Sequence, residues 1–354
     1  MVREFRLKKG ENLHQNAWLK QNINIREANI PNAEILNKKL EDLSYNNIVD
    51  AAGALSHIKV FKDYDASCLI VKHAYPISIA TGASIAEVLE KSHIADKSPS
   101  LGGQVAVNDV FTADAAEYAI EYMGYITAII APLFEDEAVF KLYKNKKNTI
   151  LIKVGSLDNI QSNLKSKKNI LGGTLEQDRN LELYCTSGGI EDLFKPAYRT
   201  PFAEMTKNKG EKEGVIGIVT KKNPTLSKGV YDFAWKACKT VRSNGTSLAW
   251  EYEPGKFQTV GLGGGQGMRS RSLRVALMAY QDNKEAFPKD VLKKSVFGSD
   301  SFFFNDAVKI AADNKIGNII SSGGGNKSEE VIDSCDDLGI AMIYTGRRNF
   351  EHEF

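Results

Sequence analysis

Lys72 and His73 are neighbours in VKHAYP (71–76), directly after the apolar run ASCLIV. Open α/β sheets place ligands at the carboxyl ends of their strands. A lysine and a histidine at such an end supply a cation and a general base. A solvated strand end is the plainer alternative. The other histidines are His14, His57, His93 and His352. HExxH does not occur, and neither does HxE paired with PCxxC, so the common zinc patterns are missing. His57 and His93 fall in helix-like stretches and are expected to be structural or solvent-facing. The C-terminal run TGRRNFEHEF follows a strand-like segment and carries Arg347, Arg348 and His352. Two arginines at a strand end suit bidentate phosphate binding; a charged, frayed tail is the alternative. GLGGGQG (261–267) and SSGGGNKS (321–328) fit neither the dinucleotide fingerprint nor the Walker A loop. They read as tight turns, or as backbone that lets a small anion approach.

The elements that must position these residues alternate between strand-like and helix-like runs, which predicts an α/β protein. Residues 66–72 read as a buried strand. Residues 84–94 read as a helix, with Ser84 and Glu87 at the spacing of a capping box. A strand follows at 104–108, then a helix at 113–123, capped by Thr112 and ended by Gly124. Strands at 126–131 and 148–154 flank a helix at 135–145. Residues 155–228 are polar and glycine-bearing and read as a connecting region with surface loops. A strand at 301–304, a helix at 307–313, a strand at 318–321, a helix at 329–337 and a strand at 340–344 repeat the earlier order. This predicts two related α/β subdomains, at 1–155 and 229–354, with the connecting region at 156–228.

Composition narrows the function classes. Among 354 residues, 46 are basic and 44 acidic, for a formal charge of +2. That balance gives no bulk attraction to nucleic acid or to an anionic membrane, and a chain this apolar is not disordered. The longest apolar stretch, 126–134, falls well short of the roughly 18 residues of a membrane helix. The first residues are charged and lack an apolar signal core. The four cysteines never form a CxxC pair and read as small buried thiols in a reducing compartment. A soluble, cytoplasmic protein is expected, with no partner among nucleic acids or membranes.

Several segments, in order along the chain, resemble the AICAR transformylase part of the bifunctional purine-biosynthetic enzyme (AICAR transformylase and IMP cyclohydrolase). GENLHQ (10–15) resembles RYGENPHQ, and LSYNNIVDAAGAL (43–55) resembles LSYNNILDADAAL. VKHAYP resembles VKHANP, LGGQVAVN (101–108) resembles FGGIIALN, and IIAP (129–132) is identical. GGTLEQDRN (172–180) resembles GGLLVQDRD, VRSNG (241–245) resembles VKSNA, and VGLGGGQ (260–266) resembles VGIGAGQ. GSDSFFF (298–304) resembles ASDAFFPF, and DDLGIAMIYTGRRNFEH resembles DEHGIAMVFTGMRHFRH. The fused enzymes carry a cyclohydrolase domain ahead of RYGENPHQ. Nine residues precede Gly10 here, so a separate IMP cyclohydrolase is expected to close the ring.

The resemblance implies two cytidine-deaminase-like, three-layer α/β subdomains without zinc, and a homodimer whose active sites take residues from both subunits. It implies formyl transfer from 10-formyltetrahydrofolate to the 5-amino group of AICAR ribonucleotide. Lys72, His73 and Asn244 match its catalytic positions. Lys8, Asn47, Gly102, Arg269, Arg348 and His352 match nucleotide-binding positions. Phe302, Phe304 and Asp306 match the folate-binding FFPFRD. It also leaves room for a structural potassium ion, which spacing does not locate. The edges of both pockets depart from the family: RYG becomes Lys8-Lys9-Gly10, FGG begins with Leu101, Pro99 stands where a serine is expected, and FFPFRD loses a residue. A formyltransferase with a changed donor or acceptor, or a non-catalytic purine-nucleotide-binding protein, are the alternatives.

Overall fold

A computed structural model describes residues 2–204, 207 and 210–352. The chain opens with the hairpin β1 (Val2–Arg6) and β2 (Trp18–Asn22), followed by the two-residue β3 (Glu34–Ile35). Helix α1 (Tyr45–Ile58) leads to β4 (Ala66–Lys72) and β5 (Tyr75–Gly82). Then come α2 (Ile85–Ala95), the short α3 (Lys97–Ser100), β6 (Gln104–Val107) and α4 (Ala113–Tyr122). The first half ends with β7 (Ala128–Ala131), α5 (Asp136–Asn145) and β8 (Ile150–Lys153).

A middle stretch holds the hairpin β9 (Lys165–Ile170) and β10 (Gly173–Asp178), one turn of α6 (Ile190–Leu193), and strands β11 (Tyr198–Thr200) and β12 (Gly214–Ile218). The last part begins with α7 (Lys228–Lys239), β13 (Thr246–Glu253), β14 (Lys256–Gly263) and α8 (Arg269–Asp282). It continues with β15 (Ser295–Ser299), α9 (Asn305–Asp313), β16 (Asn318–Ser321), α10 (Ser328–Asp337) and β17 (Ala341–Tyr344).

Among the described residues, 13 strands form one sheet in the order β11-β12-β17-β16-β15-β13-β14-β5-β4-β6-β7-β8-β3. The two halves repeat one pattern. In the first, β4 pairs antiparallel with β5 and β6, and β6, β7 and β8 run parallel. In the second, β13 pairs antiparallel with β14 and β15, and β15, β16 and β17 run parallel. The halves join antiparallel at β5 and β14, where Phe257 faces Thr81 and Gln258 faces Ala80. Beyond these two pairs a side chain continues the seam: Thr259 Oγ1 accepts from Ile79 N–H (2.9 Å) and donates to its carbonyl (3.2 Å).

Period-2 alternation explains the three layers. Leu69 and Val71 of β4 pack with Ala51, Ala54 and Ile58 of α1, whereas Cys68 and Ile70 pack with Val88 of α2 and Ala115 of α4. Likewise Val296 and Ile320 join the buried face of α7, and Phe297 and Ile319 join Leu273 of α8 and Val308 of α9. Helices α1 and α7 thus cover one face of the sheet. Helices α2, α4, α5, α8, α9 and α10 cover the other.

Some local expectations need correction. Residues 301–304 are a loop; the strand is Ser295–Ser299, whose backbone pairs with β13 and β16. Part of the stretch read as connecting joins the sheet, because β12 pairs with β17. Its KSKKN and GGTLEQD runs form the exposed hairpin β9–β10. The box at Ser84 is half made: Ser84 accepts from Glu87 N–H, while the Glu87 carboxylate takes the N–H of Ala83 (2.9 Å). Cys185 is only half-buried, unlike Cys68, Cys238 and Cys335. Among the described residues no helix is long and apolar enough to cross a membrane. Nor is any group of three or more His, Cys, Asp or Glu among them placed to hold a metal ion.

Candidate active site

One end of the sheet gathers the chemistry-bearing residues. Strands β15, β16 and β17 finish there in register, with Ser299 beside Ser321 and Ser321 beside Tyr344. Strand β13 starts there, Thr246 facing both Ser299 and Gly263, the last residue of β14. The antiparallel seam brings the start of β5 to the same end. The Tyr75 hydroxyl lies 3.0 Å from where a Cβ on Gly264 would sit, so the glycine loop after β14 abuts the turn after His73.

In the first half, Lys72 closes β4 and donates from Nζ to Leu101 O (2.9 Å). That bond draws the 101–103 loop beside it. Gly102 adopts a φ of 77°, donates its N–H to Tyr125 O (2.7 Å) and accepts from Thr127 Oγ1 (2.7 Å). A side chain would strain this backbone. His73 is exposed at the hairpin turn and has a φ of 55°; Ala74 follows with 57°. Asn47 is the third residue of α1. Its Oδ1 accepts from Ser44 N–H (3.0 Å) and Ser44 Oγ (2.8 Å), completing a capping box. Gln104 Nε2 donates to the Asn47 carbonyl (3.2 Å), which ties the start of α1 to β6. Lys8 reaches this region by its backbone, whose N–H donates to Leu43 O (3.0 Å), and its side chain is exposed.

The second half brings a cationic and aromatic group. Arg269 opens α8 and donates from Nε and Nη2 to Asp300 Oδ1 (3.1 and 2.9 Å), while its guanidinium lies 5.6 Å from the Phe302 ring centre. Asp300 is fully buried, and its Oδ2 has no partner. Arg348 is exposed, with its guanidinium 3.9 Å from the Phe350 ring centre. Partial burial and the neighbouring Arg269 charge lower its pKa, against the pull of Asp300. Phe302 and Phe304 meet edge to face at 5.8 Å. Phe304 and Asp306 line a cavity of about 400 Å³ with Met268, Asn305, Lys327 and Glu330. Gly325 lets the Phe302 ring lie close, because a Cβ there would fall 2.9 Å from it and displace it. The Asn244 carboxamide donates to Gln266 O (2.7 Å). The Ser243–Asn244 peptide is cis. The His352 ring packs near Phe350 (6.1 Å), and its carbonyl accepts from Arg242 Nε (3.0 Å).

The expected residues therefore share one sheet end in two groups. Lys8, Asn47, Gly102, Lys72 and His73 belong to the first half. Asn244, Arg269, Phe302, Phe304, Asp306, Arg348 and His352 belong to the second. Tyr75 and the 264 loop bridge them. Sequence reasoning did not single out Asp50 or Gly53, and it read His57 only as structural or solvent-facing. Burial holds the Asp50 pKa above the usual value, although the His73 charge and the nearby backbone N–H groups of Ala74 and His73 pull it down. Buried His57 faces Ala74 O from Nε2 (3.2 Å), and burial pushes its pKa down to about 4. Their spacing of three and four residues on one helix was visible in the sequence; the turn they meet was not. Asp300 lies inside the quoted GSDSFFF run and was not singled out.

The family model described as AICARFT/IMPCHase bienzyme matches residues 1–279, a span that holds Lys72, His73, Asn244 and Arg269.

Proposed function

The chain belongs to the AICARFT/IMPCHase bienzyme family of purine biosynthesis, and from that premise we propose that it transfers a formyl group. The donor is 10-formyltetrahydrofolate, the acceptor is the 5-amino group of AICAR ribonucleotide, and the products are FAICAR and tetrahydrofolate. The observation that carries the proposal is the adjacent pair Lys72 and His73 at a sheet end, across the seam from Asn244, Arg348, the Phe302–Phe304 ring pair and the cavity that Phe304 lines.

The acceptor amine is a weak nucleophile, because its lone pair is delocalised toward the ring and the carboxamide. Holding both reactants at one site removes much of that barrier. In the proposed step the amine nitrogen attacks the formyl carbon while His73 takes the amine proton. The oxyanion so formed faces the Lys72 ammonium. The bond from the formyl carbon to the folate nitrogen then breaks, and a proton from Lys72 or from the His73 imidazolium goes to that nitrogen. Asn244 orients the carboxamide or the formyl oxygen. Lys8, Asn47, Gly102, Arg348 and His352 bind the nucleotide. Arg269 joins them with the N–H groups that Asp300 leaves unused. Phe302, Phe304 and Asp306 hold the pterin, where aromatic faces and a carboxylate acceptor suit it.

A structural potassium ion would need oxygen donors. Asp300 Oδ2 and Ser243 Oγ are buried without partners, and the segments that carry them lie side by side, with Asp300 N–H donating to Gly245 O (3.1 Å). In the first half the position matching Asp300, one residue past the strand, is Asn108. Its NH₂ donates to the carbonyls of Phe61 (3.4 Å) and Tyr64 (2.6 Å). A carboxylate oxygen left over at the matching place fits a bound cation. We propose Asp300 and Ser243 as its donors; its charge would steady the loop that carries Asn244. A cytoplasmic homodimer with shared sites completes the proposal.

The test is a spectrophotometric assay of tetrahydrofolate release from AICAR ribonucleotide and 10-formyltetrahydrofolate. Turnover is expected for the wild type, and His73→Ala should lower kcat by about 100-fold or more. Wild-type nucleotide binding without turnover would overturn the proposed donor and acceptor.

A further inference from the structure

We infer that Asp50, Gly53 and His57, on one face of α1, are positioning residues for His73: they clamp the β4–β5 turn in the backbone conformation that presents the imidazole. The inference rests on the reading of His73 as the base of the proposed transfer.

His73 and Ala74 are consecutive residues with left-handed φ values of 55° and 57°. Among the described residues, Lys315 is the one other non-glycine residue with a positive φ. Such conformations persist where the surroundings over-determine them. The surroundings here come from a single helix, on which positions three, four and seven apart share a face. The Asp50 carboxylate lies close enough to the backbone N–H groups of Ala74 and His73 for them to lower its pKa. His57 takes the carbonyl of the turn, Ala74 O, at 3.2 Å. Facing a carbonyl, the His57 Nε2 must carry the hydrogen, and the buried ring stays neutral above about pH 4. Gly53 lets the turn touch the helix backbone: a Cβ there would fall 2.9 Å from Ala74 Cβ and 3.1 Å from Ala74 Cα. The bond to the carbonyl, the close approach and the neighbouring carboxylate all converge on two residues. Asp50 also interacts with the charge of the His73 ring, so its carboxylate favours the imidazolium formed when the base takes its proton.

Gly53→Ala is the decisive variant. Alanine is the better helix former, so α1 should not be weakened, yet its methyl group must displace the turn. The expected result is a Tm close to that of the wild type, the helix gain offsetting the crowding at the turn, a fall in kcat of about 10- to 100-fold, and a nucleotide Kd within about twofold of the wild type. Asp50→Ala should lose kcat similarly. Asp50→Asn, which keeps an acceptor oxygen for the turn, should recover most of that loss. Unchanged kcat in Gly53→Ala, or an asparagine no better than alanine at position 50, overturns the clamp. A second readout needs no turnover. The C2 proton resonance of His73, assigned by comparison with His73→Gln, should shift in Gly53→Ala. An unmoved resonance overturns the clamp even if the wild type proves inactive in formyl transfer, an outcome that would sink the proposed reaction alone.

Discussion

Lys72 and His73 are adjacent in the chain but are held by different means. Lys72 ends a fully paired strand, and its ammonium is fixed by the Leu101 carbonyl. His73 stands on a turn and depends on α1 for its direction. Lys72→Met keeps the aliphatic stem and removes the charge. The proposed oxyanion role then predicts a loss of about 100-fold or more in kcat, together with loosening of the 101–103 loop. Unaltered kcat in single-turnover measurements would remove Lys72 from the chemistry. The position of this pair was legible, because a lysine and a histidine follow an apolar run that reads as a buried strand. The role of Asp50 was not: a carboxylate on a helix reads as a solvated face until the turn it meets is known. Arg269 shows the same limit, since two of its donors go to Asp300 some thirty positions away.

At the scale of elements, legibility followed burial. Residues 66–72 and 318–321 were read to the residue, because a strand buried on both faces is a continuous apolar run. The 301–304 reading failed because three phenylalanines look like a strand, whereas here Phe302 lies beside Arg269 and Phe304 lines the cavity. The middle stretch hid an anchor that no pattern announces. Burial alone would raise the pKa of Glu27. The Arg179 and Lys59 bonds and the Gln161 N–H more than reverse this, bringing it from 4.5 to about 2. A folded-state pKa below the unfolded one gives stability that is full above about pH 4.5 and lost as the pH falls toward 2. The size is on the order of 3 kcal/mol. Urea unfolding of Glu27→Gln should show a deficit of that order at pH 7, shrinking below pH 4. A deficit that stays constant from pH 7 to pH 3 would contradict the assignment.

Across the whole molecule, the union of the halves rests on few backbone pairs. Thr259 supplies two further bonds to Ile79 in a fully buried place. Thr259→Val keeps the shape and leaves the Ile79 N–H and carbonyl without partners. The expected cost is about 2 kcal/mol or more, read as a lower denaturation midpoint. A change under about 0.5 kcal/mol would mean that the seam is held elsewhere.

The repeated strand order carries a consequence for stoichiometry. The β4–β5 turn, with Lys72 and His73, lies at one end of the sheet. Its counterpart between β13 and β14 is Pro254 and Gly255, which the antiparallel seam sets at the opposite end. One layout is thus used twice, yet only one of its two turns carries a histidine beside a lysine. Calorimetric titration with AICAR ribonucleotide should therefore saturate at one equivalent per chain. A second equivalent would mean that the Pro254 end also binds, and that the doubled architecture kept two working sites.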